Sequence, residues 1–211
     1  MNFGWQVVPL DQLVEAVLER AEPGRLCVVG IDGHSSSGKT TLAGRLAAAL
    51  PDGAVLHTDD LARDEGVFAW DEPLLGEVLP VVRAGHPLDL PPPRWWSARG
   101  ITGSVTLPGS LAHLVVEGVG ASRDSVRDAY DLVIWVETDE PTRLERDRLR
   151  LAAGEMAAPG AYDGWMAAEN AYTTAGRPWE HADLLLYGGD SVPHDRRHEI
   201  VVSRSSSPSK A

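Results

Sequence analysis

The most specific chemistry in the sequence lies in eight consecutive residues, Gly33-His34-Ser35-Ser36-Ser37-Gly38-Lys39-Thr40, which fit the spacing G-x-x-x-x-G-K-S/T. Gly33 and Gly38 permit backbone conformations and close approaches that a Cβ would block, so successive N–H groups can turn inward as a nest for anionic oxygens. Lys39 adds a mobile positive charge for β- and γ-phosphates. The Thr40 hydroxyl is placed to coordinate Mg²⁺, and a helix starting there adds the positive end of its dipole. The motif predicts that Gly33, Ser35, Ser36, Ser37, Gly38, Lys39, Thr40 and Thr41 hold the phosphates of ATP with Mg²⁺.

Phosphoryl transfer to a hydroxyl also needs a group to take the acceptor's proton, a carboxylate near the metal, and cations that gather charge on the moving group. Asp59 and Asp60 follow the apolar run Val55-Leu56-His57, at the carboxyl edge where open α/β sheets place their ligands. Asp59 is the candidate base, with a helix N-cap as its plainer alternative; Asp60 suits the cap better. Leu114-Val115-Val116-Glu117 ends an apolar strand in a carboxylate, suited either to holding magnesium or to pairing with a surface cation. Arg143, Arg146 and Arg150 recur at three and four residues, presenting guanidinium groups on one helical face. Glu145 and Asp147 between them also permit a salt-bridged surface helix. Among seven tryptophans, Trp70, Trp95, Trp96 and Trp165 fall outside the strand-like runs. They can stack a flat acceptor or pack beneath long loops. Trp95, Trp96, Arg99, Trp165 and Glu169 join Asp59 as acceptor-side candidates. His34, His57, His86, His113 and His181 show no metal-ligand spacing and count as structural or solvated.

The elements that must position these groups follow from the pattern. An amphipathic helix carries Leu10, Leu13, Val14, Val17 and Leu18 and stops near Pro23-Gly24. Residues 25–32 form a buried parallel strand, and 40–50 a helix ended by Pro51-Asp52-Gly53. Residues 54–57, 111–117, 131–137 and 182–187 complete a parallel five-stranded sheet with helices on both faces, an α/β three-layer sandwich of the P-loop NTPase type. A helix is expected over 73–84, after which Pro87 and Pro91-Pro92-Pro93 interrupt regular structure. The insert over 61–110 is the expected acceptor-binding region. Helices over 143–153 and 165–174, separated by Gly154, Pro159-Gly160 and Gly164, form a mobile lid within 140–176.

At 211 residues and 22.7 kDa the sequence is sized for one domain, expected over 1–190 with a flexible tail over 191–211. A formal net charge of −12 opposes a surface built to follow a phosphate backbone, so nucleic acid is not the expected partner. A solitary cysteine, Cys27, has no partner for an internal disulfide and suits a reducing cytoplasm. No apolar run reaches the roughly 18 residues of a membrane span.

Several stretches together resemble the uridine kinase-like branch of P-loop nucleoside kinases, particularly its short actinobacterial-type members. The resemblance spans 25–189 and rests on Ile31-Asp32-Gly33 leading into the phosphate loop, Thr58-Asp59-Asp60, Val116-Glu117-Gly118-Val119 and the strand 130–139. It continues through Arg143-Leu144-x-Arg146-x-x-x-Arg150 and the stretch Trp165 to Tyr172. It implies Lys39, Asp59, Arg146 and Arg150 as catalytic residues, Arg143 as a nucleotide contact, and Thr40 and Glu117 at Mg²⁺. The acceptor stays open among nucleosides, sugars, cofactor precursors and secondary metabolites, and a homodimer is allowed. An NTP-hydrolysing switch without an acceptor is the alternative of another class.

Overall fold

The computed structural model describes residues 4–62, 66–154 and 159–204. Its frame is a seven-stranded sheet in the order β1-β9-β8-β7-β2-β6-β3. In chain order the strands are β1 (Trp5–Pro9), β2 (Cys27–Gly33), β3 (Gly53–His57), β6 (His113–Glu117), β7 (Leu132–Glu137), β8 (Leu184–Tyr187) and β9 (Glu199–Ser203), while β4 (Leu88–Leu90) and β5 (Val105–Leu107) form a separate antiparallel pair. The helices are α1 (Leu10–Leu18), α2 (Lys39–Ala49), α3 (Thr58–Leu61), α4 (Asp71–Pro73), α5 (Leu79–Arg83), α6 (Arg94–Ala98), α7 (Asp124–Arg127), α8 (Glu140–Ala152) and α9 (Pro159–Gly176).

The five expected parallel strands are contiguous, β8-β7-β2-β6-β3, with β3 as one edge of the sheet. β2 lies between β6 and β7, with Ile31 beside Glu117 and Gly33 beside Val136. From β2 the chain crosses to β3 on one side and later reaches β7 on the other, so the end of β2 is the switch point where such sheets bind ligands. Alternation along β2 builds both faces, as a period of two requires. Val28 joins Leu56, Leu114, Val116 and Trp135 on one face. Cys27, Val29 and Ile31 join the apolar stripes of α1 and α2, including Leu13, Val17, Leu42 and Leu46, on the other. Burial pushes the Cys27 thiol up to about 11, so it packs as a small apolar group.

Three expectations are corrected. The sheet gains β1 and β9, an antiparallel pair in which Trp5 faces Ser203 and Val7 faces Val201. The stretch expected to be a flexible tail over 191–211 therefore contributes a strand, with Ile200 and Val201 buried; residues 205–211 lie outside the described residues. The insert is more regular than its prolines suggest. Pro91, Pro92 and Pro93 separate β4 from α6 without falling inside either, which respects the ring's missing N–H. The expected helix over 73–84 is a continuous run in which α4 passes through a π-helical turn, Leu74–Val78, into α5. Trp70 is buried at 1% exposure with Leu74 and Val78 in the core, so the packing alternative holds for it.

Among the described residues no helix is long and apolar enough to cross a membrane.

Candidate active site

The phosphate loop joins β2 to α2 at the switch point. Gly38 adopts φ 101° immediately before the helix, a conformation open to glycine and strained for other residues. Ser36 takes φ 55° without that freedom and is held by its neighbours: its hydroxyl donates to Asp147 Oδ1 at 2.5 Å, and its carbonyl accepts from Arg146 Nη1 at 3.1 Å. Lys39 is 7% exposed, and its ammonium donates to the carbonyl of His34 at 2.7 Å. Opposite the loop, Gly188 follows β8 so closely that a Cβ there would collide with the Ser37 carbonyl oxygen. Gly188→Ala is accordingly expected to destabilise the fold by about 1–3 kcal/mol and to weaken nucleotide binding, read by thermal melting and by calorimetric titration with MgADP.

One cavity of about 1150 Å³ runs along this loop. Ser35, Ser36, Ser37, Gly38, Lys39, Thr40 and Thr41 line its floor. Asp59, Glu117, Arg146 and Arg150 line it as well, and so do Trp95, Arg99 and Trp165. The floor, both carboxylates and the two α8 arginines thus converge, although they come from four separate stretches of sequence.

The polar centre has a consistent electrostatic order. Thr40 Oγ1 donates to Glu117 Oε1 at 3.0 Å, and His57 Nδ1 lies 2.5 Å from the same oxygen. Burial works to raise the Glu117 carboxyl, but the His57 hydrogen bond, the Lys39 charge and the Thr40 hydroxyl outweigh it and hold Glu117 below the usual range. The hydrogen bond to Glu117 in turn raises the His57 imidazole against the pull of burial. Asp59 is displaced the other way: burial raises it, the Glu117 charge adds to that, and Lys39 offsets only part. Two neighbouring carboxyls pushed apart is the arrangement in which one stays ionised beside a cation while the other works as a base.

The indole N–H of Trp95 donates to the Asp59 carbonyl at 2.9 Å, and that of Trp96 donates to Asp60 Oδ1 at 3.0 Å. Helix α6 is thereby fastened to α3, which carries Asp59. Arg99 lies over the Trp95 ring at 5.1 Å.

Four of the sequence-derived candidates lie elsewhere. Gly33 is buried at the strand end, its N–H given to Asp32 Oδ1 at 2.7 Å, because it is the last residue of β2 and not part of the open nest. Arg143 sits in the first turn of α8, a turn away from Arg146, so its Nε reaches back to the Thr138 carbonyl at 3.2 Å and not into the cavity. Trp96 packs against the core beneath α6. Glu169 is wholly buried behind the loop, where it accepts from Ser35 N at 3.0 Å and meets His34 Nδ1 at 2.8 Å.

Other contributors were not foreseen. His57, expected to be structural or solvated, contacts Glu117; its position directly before Thr58-Asp59 at a strand end was the available signal. Asp147, next to Arg146, reaches the loop through Ser36. Asp32 is fully buried and accepts from Gly33 N, Gly120 N, Ser122 and the Tyr172 hydroxyl, tying two other segments to the start of the loop. His194, Arg196, Ile200 and Val201 line the cavity from the segment expected to be a tail.

The donors suit magnesium. Thr40 and Glu117 offer hard oxygens side by side, and Mg²⁺ uses one or two protein ligands together with phosphate oxygens and water. Among the described residues no group of three or more His, Cys, Asp or Glu side chains could hold a metal ion alone.

A parallel sheet carrying this loop at its switch point, with carboxylates on the adjoining strands and arginines on a covering helix, defines a P-loop kinase. The chain is 30% identical over 141 residues to the uridine kinase of Deinococcus deserti, a match covering 58% of this chain and 67% of that one. It is 28% identical over 140 residues to the uridine kinase of Staphylococcus haemolyticus, again covering 58% and 67%. A solved structure described as a possible uridine kinase from Bacillus stearothermophilus matches with a TM-score of 0.58 and 26% identity, over 83% of this chain and 96% of that one. No protein-family model matches. The chain belongs to the uridine kinase-like P-loop kinases and is a small-molecule kinase.

Proposed function

We propose that the chain transfers the γ-phosphate of ATP to a hydroxyl of a nucleoside or a similar small polar acceptor. The observation that carries this reading is the placement of Asp59, its carboxyl held above the usual range, in the wall of the same cavity as Lys39, Thr40, Glu117, Trp95 and Trp165. The relatives named uridine kinase support a nucleoside as the first acceptor to test.

In this reading Ser35 to Thr41 cradle the phosphate chain, and Thr40 and Glu117 hold Mg²⁺. Mg²⁺, held by these two residues, would supply charge neutralisation to the phosphate chain. Asp59 takes the proton of the acceptor hydroxyl as its oxygen bonds to the γ-phosphorus and the bond to the β-bridging oxygen breaks, leaving ADP. Lys39, Arg146 and Arg150 gather the charge that spreads over the transferred group. Trp95 and Trp165 offer faces on which a flat ring can stack, and Arg99 offers a cation at the same end.

The test is ADP release measured with a panel of nucleosides, sugars and vitamin precursors, using Lys39→Ala as the blank. Acceleration by uridine or another nucleoside is expected. Acceleration by a sugar or precursor alone would keep the kinase and change the acceptor. If no compound accelerates ADP release, and Asp59→Asn hydrolyses ATP as the parent does, the chain is an NTPase switch instead.

A further inference from the structure

Helix α9 covers the phosphate loop from behind, and two of its side chains, three residues apart and so on one face, end on the loop's first residues. Tyr172 donates to Asp32 Oδ2 at 2.6 Å, while Asp32 Oδ1 takes the N–H of Gly33. Glu169, wholly buried, takes the N–H of Ser35 on one oxygen and the His34 ring on the other. Arg143 of α8 lies 3.9 Å from that second oxygen. Nothing in this cluster lines the cavity except Ser35.

The position of His34 gives the cluster a reach beyond packing. Its carbonyl receives both the Lys39 ammonium at 2.7 Å and the N–H of Ser37 at 3.1 Å. A carboxylate that fixes the His34 ring and the next N–H therefore also fixes the carbonyl that orients the loop's lysine. We propose that Glu169 is a positioning residue of the phosphate loop: from α9 it sets the loop's shape and the place of the Lys39 ammonium, without touching nucleotide or acceptor. The proposal rests on the nucleotide-binding reading of the loop. It also assigns α9 the part of a fixed brace and leaves α8 as the element that contacts the open side of the loop through Asp147, Arg146 and Arg150.

The chemistry separates Glu169→Leu from Glu169→Gln. Leucine removes both acceptors and strands a buried N–H. Glutamine keeps one carbonyl oxygen for Ser35 N and an amide N–H for the His34 ring. His34→Phe probes the other end of the contact, keeping an aromatic ring beside Trp135, whose ring centre is 5.3 Å from that of His34.

The test compares MgADP with adenosine, which lacks the phosphates the loop holds, by calorimetric titration of the parent and the three variants. Glu169→Leu is expected to weaken MgADP by about ten- to hundredfold and His34→Phe by about three- to tenfold, with adenosine unchanged within about twofold in both. Glu169→Gln is expected to restore MgADP affinity to within about threefold of the parent. MgADP affinity within twofold of the parent in Glu169→Leu and His34→Phe would overturn the proposal. So would a parallel loss of MgADP and adenosine, or failure of both variants to fold, since the contact would then serve the core and not the loop. A parent that does not bind MgADP would instead sink the nucleotide-binding reading itself.

Discussion

Asp59→Asn is expected to lower kcat by about 10²–10⁴-fold, the usual yield of a positioned general base, while MgATP affinity stays within about threefold. The amide fills the same space and cannot take the acceptor's proton. Steady-state kinetics with the acceptor found by the panel, together with MgATP titration, checks both halves. A kcat within threefold of the parent would remove Asp59 from the chemistry.

The pH behaviour of the same residue supplies a second, independent reading. Burial and the Glu117 charge raise the Asp59 carboxyl above the ordinary aspartate value, so the acid limb of the parent's kcat profile is expected above that value. The stability consequence has a definite sign. A carboxyl raised on folding favours the folded state fully below its unfolded pKa, and that advantage is lost as pH rises through the folded pKa. Asp59→Asn is therefore expected to melt higher than the parent at neutral pH, with the difference closing in acid. A catalytic group that costs stability where it works would show itself in melting curves taken at both pH values.

Lys39→Ala is expected to cost about 10²–10³-fold in kcat/KM for MgATP, the range for losing one preorganised charge donor. Its charge also lowers both Asp59 and Glu117, so removing it is expected to move the acid limb upward, on whatever activity remains. Lys39→Arg is not expected to rescue. The ammonium is nearly buried and aimed at one carbonyl, and a planar fork requires more room and different partners. Unchanged kcat/KM in Lys39→Ala, or full rescue by arginine, would contradict this role.

The legible parts of the molecule were those whose determinants are local. Strands β2, β6 and β7 are apolar runs ended by turn residues because they are buried on both faces of the sheet; β3 and β8, partly buried, are shorter apolar runs, and all five appear within a few residues of their expected spans. The phosphate loop is legible for the same reason, since all its determinants lie within eight consecutive residues, Gly33 to Thr40. Strands β1 and β9 are five residues each, at one edge and only partly buried, and each gains its meaning from a partner at the other end of the sequence. The arginines on α8 divided by the same rule. Helical spacing put three on one surface, but only tertiary packing decides that Arg146 and Arg150 face the cavity while Arg143 turns to Thr138 and Glu169. Glu169 and Tyr172 shared a helix face in the sequence, yet nothing local says which loop that face meets.

The pairing of β1 with β9 also sets an order of events during synthesis. Val7 cannot meet Val201 until nearly all of the described chain has left the ribosome, and closing so long a span costs entropy that short-range contacts never face. Ile200 and Val201 are at once part of that late strand and part of the cavity wall. A growing chain can assemble the loop, the lysine and both carboxylates well before Ile200 and Val201 complete the wall of the pocket.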